Sequence, residues 1–211
     1  MASTATADAL VDAAEALFAV EGFEAASLRA VMRAARSDSG AIHYHFGGRE
    51  ELAAAVLARV LGPLNARRLE LLTGLEQEGL ARPVPLASLV DAIVRPDIEV
   101  ATDLRQRGAG RARLIGAVYI SPATFVKSQV EHHFGPVAGR FMPHLIAAVP
   151  AVPDELLSWR IRWCLFGLIG ALLSDEDEPF TIPTAELLSR IVAAGTAAIA
   201  APVGPTTTSG E

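Results

Sequence analysis

Residues Ser27 to Phe46 read SLRAVMRAARSDSGAIHYHF. Leu28, Val31, Met32 and Ala35 recur at helical spacing, and Ser27 stands where an N-cap belongs. A break follows at Arg36-Ser37-Asp38, and Asp38 is placed to cap a second short helix through Ile42 to about His45, closed by Gly47-Gly48. The stretch therefore predicts a short helix, a tight turn and another short helix. Leu28, Val31, Met32, Ile42 and Phe46 fall on one face, to be buried against Leu17 and Phe18 of a preceding helix. Ser39, Gly40, Ala41, His43, Tyr44 and His45 fall on the other. Small and polar groups on an outward helix let backbone approach base edges, and a helix fits the major groove of duplex DNA.

Local charge agrees with that reading. Between Ser27 and Arg49 there are four arginines (Arg29, Arg33, Arg36 and Arg49) against the single acid Asp38. The first 60 residues as a whole hold five arginines and eight acidic residues, and the chain carries a formal net charge of −6. General coating of nucleic acid normally needs a basic protein, so any phosphate gripping here must come from the local patch. Lys127 is the one lysine among 18 basic residues, a bias that genome composition explains without any function.

Working outward, Leu10, Val11, Ala14, Leu17 and Phe18 define a helix over about 7–20 that Gly22 ends. Residues 1–6 are expected to fray. Glu50 opens a fourth helix, which Pro63 kinks or restarts, with helical pattern resuming over 64–78. Further helices are predicted over 86–104, 111–120, from Ser121-Pro122 onward with bends at Pro136 and Pro143, 154–174 and 184–200. The fold class is all-α, about nine helices with no strand, and the tail 202–211 reads as disordered. With 51% hydrophobic and 20% charged residues in 211, the chain has apolar matter for a sizeable core.

Several function classes lack their signatures. No signal peptide is visible at the start, and the longest apolar run, Trp163 to Leu173, falls short of the roughly 20 residues a membrane span needs. A soluble, cytoplasmic protein with no membrane partner is expected. Cys164, the only cysteine, lies among apolar neighbours and reads as a reduced, buried thiol. His132 and His133 stand next to Glu131, but adjacent helical residues point about 100° apart and rarely share one ion, so no metal is expected. No Ser-His-Asp spacing, phosphate loop or CxxC is present, which argues against an enzyme, and no cofactor is implied.

The stretch Leu10 to Leu52 resembles the DNA-binding domain of tetracycline-repressor-like (TetR family) regulators. The matching features are Ala14, Phe18, Gly22, Ser27 (usually threonine), Ala35, Gly40, Tyr44-His45-Phe46 and Arg49-Glu50 (usually Lys-Glu). The resemblance implies phosphate contacts from Ser27, Tyr44 and Arg49, base-facing Ser39, Gly40, Ala41 and His43, and Asp38 as N-cap. Arg29, Arg36 and His45 complete the expected DNA-binding set. Two departures stand out. Arg36-Ser37 replaces the family's glycine and apolar residue after the turn alanine, and His43 stands where tyrosine is frequent.

The rest of the chain is apolar helix. Leu156, Leu157, Trp159, Ile161, Trp163, Leu165, Phe166, Leu168, Ile169, Leu172 and Leu173 cover nearly every side of one helix, which must then be buried all round. The last helix is rich in Ala and Gly. Together the two are expected to form half of a four-helix homodimer interface through Leu165, Ile169, Leu172, Leu188, Ile191, Val192 and Gly195, the alternative being an ordinary monomer core. The resemblance further implies a pocket for an unknown small-molecule effector, with Tyr119, Phe125, His133, Phe134, Trp159, Trp163 and Phe166 as candidate walls or plain core. Arg105, Arg107, Arg111 and Arg113 either attract an anionic ligand, couple the domains or form a solvated surface. The domains so implied are a helix-turn-helix unit over 1–48 and a ligand-binding and dimerisation unit over 49–201. The expected function is a ligand-released repressor binding a palindromic double-stranded DNA operator as a dimer. The alternative is a helical small-molecule-binding or scaffolding protein that has lost operator binding.

Overall fold

The computed structural model describes residues 2–38, 40–78, 83–107, 114–118, 121–173 and 182–203, with side chains at all of these except 2–4, 101–107, 166 and 169–173. Its helices are α1 (Ala2–Glu21), α2 (Leu28–Ala34), α3 (Ala41–Phe46), α4 (Arg49–Glu78), α5 (Leu86–Arg107), α6 (Thr124–Ala148), α7 (Asp154–Leu173) and α8 (Thr184–Ala200). A short helical stretch over 114–118 makes nine among the described residues, which include no strand. The acidic stretch 175–179 and the tail from 204 lie outside them.

The first helix begins at Ala2 rather than near Ala7, because nothing in Ala2 to Thr6 interrupts the backbone hydrogen bonds. Gly22 ends it with φ +83, the left-handed conformation that a residue without a Cβ adopts freely. The prolines break fewer helices than the sequence suggests. Pro63 lies inside the 30-residue α4, and Pro136 and Pro143 lie inside α6. All three are exposed, as are Arg59, His132 and Gly139 four residues before them, so each interruption of the hydrogen-bond ladder lies on the solvent side of its helix. The N-cap of α6 is Ala123 rather than Ser121. Ser121 is buried, and its Oγ accepts the Ala123 N–H at 3.3 Å just before the helix.

Two apolar clusters form the interior. One gathers Leu10, Ala14 and Phe18 of α1, Val31 of α2, Ile42 of α3 and the first half of α4 (Leu52, Val56, Leu57, Leu61, Leu64), joined by Leu114, Val118 and Val126. The other gathers the end of α4 (Leu72), α5, α6, α7 and α8. At about 1.5 Å rise per residue, α4 is roughly 45 Å long and belongs to both.

Halfway along α4, Arg68 is 1% exposed. Its Nε donates to the Ile93 carbonyl of α5 at 2.9 Å, Nη1 to Asn65 Oδ1 at 2.8 Å, and Nη2 to the Asp97 carboxylate. The guanidinium carbon also lies 5.1 Å from the ring centroid of Phe134 on α6, and Asn65 Nδ2 donates to the His133 carbonyl at 2.9 Å. One buried ion pair thus ties α4 to α5 and α6. A second tie lies near the surface, where Glu76 of α4 accepts from Arg140 of α6 at 2.8 Å and meets His144 Nε2 at 3.0 Å. The Arg140 hydrogen bond, more than the one to His144, holds the Glu76 carboxyl below its ordinary range. At the far end, buried Arg160 of α7 donates to the carbonyls of Ile199 and Ala201 at 2.8 and 2.6 Å, satisfying acceptors that the end of α8 leaves open.

Removing one partner of a buried pair leaves a charge without compensation. Asp97→Ala should therefore cost roughly 3–5 kcal/mol in urea denaturation, whereas the double change Arg68→Met with Asp97→Leu should recover most of that loss.

Candidate nucleic-acid interface

The two-helix unit is built from its turn outward. Ser27 is the N-cap of α2 (φ −79, ψ 123), and its carbonyl accepts the Val31 N–H at 3.0 Å. Its side chain makes no capping hydrogen bond and stays exposed. At the other end of α2, Ser37 N–H donates to the Met32 carbonyl at 3.0 Å and Arg36 N–H to the Arg33 carbonyl at 3.2 Å. These are the six-to-one and five-to-two hydrogen bonds of a Schellman ending, whose geometry calls for a left-handed residue at position 36. Arg36 takes it with φ +50, so the turn forms without the usual glycine.

The third helix starts later than the sequence suggests. Gly40, not Asp38, is the N-cap, and it makes no side-chain cap because glycine has none. Asp38 contributes its backbone carbonyl instead, accepting the Ala41 N–H at 3.1 Å. Ile42 is 2% exposed and anchors α3 in the core, beside half-buried Leu28, Met32 and Phe46. The opposite edge is open. Tyr44 is 81% exposed, and His43, Gly40 and Asp38 are exposed as well. Ala41 is half-buried, and Ser39 lies outside the described residues. Arg29, Arg33 and Arg36 are exposed on the same unit.

Two members of the expected set behave differently. His45 is half-buried, its ring edge-to-face with Tyr44 at 4.9 Å and 6.3 Å from Phe46. Arg49 is half-buried too, and its Nη1 donates to the Phe23 and Glu24 carbonyls at 3.1 and 3.4 Å. It braces the start of α4 against the loop between α1 and α2.

The helical body behind this unit rearranges the other expectations. A cavity of about 100 Å³ lies between α4, α5, α6 and α7, lined by Arg68, Ile93, Phe134, Val137, Ala138, Phe141, Met142, Leu145, Ile161 and Leu165. Of the candidate pocket residues, only Phe134 is among them. Leu165, expected between protomers, is a second wall. Trp159 and Trp163 are 55% and 60% exposed and are not among its walls; Trp163 instead lines a cleft of about 210 Å³ between α5, α7 and α8, with Val90, Val94, Cys164, Ala194 and Gly195. Phe125 packs into the N-terminal cluster, and half-buried His133 contributes its carbonyl to Asn65. Burial, and then the neighbouring His132, lowers the affinity of the His133 ring for a proton. Tyr119 lies outside the described residues, as do the side chains of Phe166, Ile169, Leu172, Arg105 and Arg107 and the residues Arg111 and Arg113.

Leu188 and Gly195, also expected between protomers, are buried within one chain. A Cβ on Gly195 would stand 3.2 Å from Val90 Cγ1, so that glycine lets α8 lie close on α5. Ile191 and Val192 are half-buried beside the same core. Cys164 is half-buried, and burial pushes its thiol pKa up. Among the described residues, no group of three His, Cys, Asp or Glu is placed to hold a metal, and no helix is long and apolar enough to cross a membrane.

A braced short helix with one buried edge and one open edge, flanked by arginines, defines a helix-turn-helix DNA-binding protein. Residues 10–56 match the family model described as bacterial regulatory proteins, tetR family, and residues 91–199 match the one described as tetracyclin repressor-like, C-terminal domain. The chain belongs to the TetR family of transcription regulators, which are not enzymes. Solved structures share the fold along nearly the whole length. A TetR-family regulator (SCO0857) from Streptomyces coelicolor A3 is 20% identical with a TM-score of 0.53, covering 93% of this chain and 95% of that one. A putative TetR-family transcriptional regulator from Rhodococcus sp. is 16% identical with a TM-score of 0.58, covering 90% and 96%. GusR of Salmonella enterica is 15% identical with a TM-score of 0.56, covering 92% and 95%. No curated protein matches the chain.

The left-handed backbone at Arg36 carries a penalty that glycine avoids. Arg36→Gly should raise the unfolding free energy by about 1 kcal/mol in urea titration, while Arg36→Ala, which keeps the Cβ, should not.

Proposed function

We propose that this regulator is a repressor that binds an inverted-repeat operator as a homodimer and leaves it when a small molecule enters the helical body. The observation that carries the reading is Tyr44: a large aromatic side chain, 81% exposed on a helix whose other edge is buried, in a two-helix unit that also exposes three arginines. In this reading Tyr44, Ser27, Arg29 and Arg36 grip phosphates, and Ser39, Gly40, Ala41 and His43 face base edges in the major groove. Arg49 and His45 hold the edge in place, Arg49 through the carbonyls it braces and His45 through Tyr44 and Phe46. The DNA-reading unit takes in 1–48 and draws on the first half of α4 for its core, while the remainder to 201 serves ligand binding and dimerisation.

The second observation concerns α7 and α8. Trp159 and Trp163 stand exposed on α7, and Ala193, Ala194 and Ala197 on α8 are exposed too. Two large aromatics beside a strip of small residues make a surface that a second copy would bury with close helix packing. A dimer would place two reading helices about one DNA turn apart, or a multiple of it.

The cavity beneath supports ligand release. Its walls come from α4, α5, α6 and α7, so filling it bears on α4, whose start is tied to the reading unit. A ligand that binds one arrangement better than the other shifts the population between a DNA-competent and a released dimer.

Two experiments test this reading. In a mobility-shift titration with duplex from upstream of its own gene, Tyr44→Ala should weaken binding about tenfold with the circular dichroism unchanged. Arg29→Ala should lower the slope of log K against log salt by about one unit. In sedimentation velocity, the wild type should run as a dimer and Trp163→Arg as a folded monomer. A wild-type monomer would reject the dimer reading.

A further inference from the structure

His43 lies on the outward side of α3, exposed, and its ring has a fixed orientation. Its Nδ1 stands 2.8 Å from the carbonyl oxygen of Gly47, while the Gly47 N–H donates to the His43 carbonyl at 3.1 Å. Gly47 has φ +86, a left-handed turn that lets the residue close both bonds. The two residues clasp each other at the end of the helix.

The clasp decides which ring nitrogen carries the proton. A carbonyl oxygen only accepts, so Nδ1 donates. A neutral imidazole has a single N–H, so Nε2 is left with a lone pair and no hydrogen. Among the described residues, no protein group donates to Nε2.

We infer that His43 sets operator specificity by reading an amino-bearing base, adenine or cytosine, through Nε2 as a hydrogen-bond acceptor. The inference rests on α3 being the helix that enters the major groove. There adenine offers N6–H and cytosine N4–H, while guanine and thymine offer the acceptors O6, N7 and O4. Opposite guanine or thymine, Nε2 would face another lone pair and leave both unsatisfied. Its neighbours do not separate the two classes of base, since a serine hydroxyl such as that of Ser39 both donates and accepts. The Tyr44 hydroxyl both donates and accepts, so it does not separate the two classes of base. Gly40 and Ala41 have no polar side-chain atom, and His45 is half-buried against Tyr44 and Phe46.

The test is selection of bound duplexes from a random pool at pH 8.5, a condition that keeps imidazole rings neutral, using the full-length wild type, His43→Ala and His43→Lys. The wild type should enrich an inverted repeat in which one position per half-site favours adenine or cytosine over guanine or thymine by about fivefold or more. That position should flatten in His43→Ala and turn to guanine or thymine in His43→Lys, because an ammonium only donates. A check that leaves the protein untouched uses the selected site. Where adenine is favoured, replacing it with purine, which lacks the N6 amino group, should weaken wild-type binding and leave His43→Ala unaffected. Where cytosine is favoured, removal of its N4 amino group should do the same. The inference is overturned if the His43-dependent position favours guanine or thymine in the wild type, or if no position depends on His43. A pool from which the wild type enriches nothing would instead reject the DNA-reading role of α3.

Discussion

A guanidinium with almost no access to water fixes where the longest helix of this protein can lie. Arg68 must keep the Asp97 carboxylate, the Asn65 amide oxygen and the Ile93 carbonyl around it, and a charge stripped of such partners in an apolar interior is costly. That requirement pins the middle of α4 to α5 and, through Phe134 and the His133 carbonyl, to α6. Everything at the DNA-reading end hangs from the same helix. The first half of α4 supplies much of the core under α1, α2 and α3, and Arg49 at its start holds the loop that leads into α2. A change at the cavity and a change at α3 are thus both changes in α4. The stretch from 114 to 126 adds a second link, since Leu114, Val118 and Val126 enter the N-terminal core from the other part of the chain.

At the reading end, the geometry comes from hydrogen bonds that close short segments. A seven-residue and a six-residue helix are too short to be stable alone, so tertiary packing and their endings must hold them. The Schellman bonds at Arg36 and the Gly47 clasp supply the endings, and Val31 and Ile42 supply the anchors. What remains outside is an edge with no role in the protein's own packing. The exposure of Tyr44 makes sense on a surface that meets a partner, and the arginines around it suit a polyanion. The overall charge of −6 then limits the attraction to this face.

Much of this was legible in the sequence because periodicity reports faces. Leu10, Val11, Ala14 and Phe18 form a stripe, and all four are buried. The split of α3 into a buried Ile42 and an open Tyr44 follows from the same spacing. Other features were not legible, each for a physical reason. A cap depends on backbone angles, so Asp38 read as an N-cap although the chain uses its carbonyl. Prolines read as breaks because the sequence does not say that each lies on the solvent side of its helix. In α7, apolar residues on every side erase the phase of the helix. The sequence therefore does not say that Trp163 borders an open cleft against α5 and α8, or that Leu165 faces the cavity between α4, α5, α6 and α7. Arg68 does carry a sequence signal: it falls on the stripe Leu64, Arg68, Leu72, where a charge four residues from each of two buried leucines calls for a buried partner.

In the proposed complex, α3 lies in the major groove of a duplex, once for each protomer. Protection of guanine N7 from methylation measures this directly, since that atom lies in the major groove. On a bound operator, two protected patches should appear on the same side of the helix, about one turn or a multiple of it apart. Binding that leaves every guanine N7 open to methylation would mean that α3 does not enter the major groove.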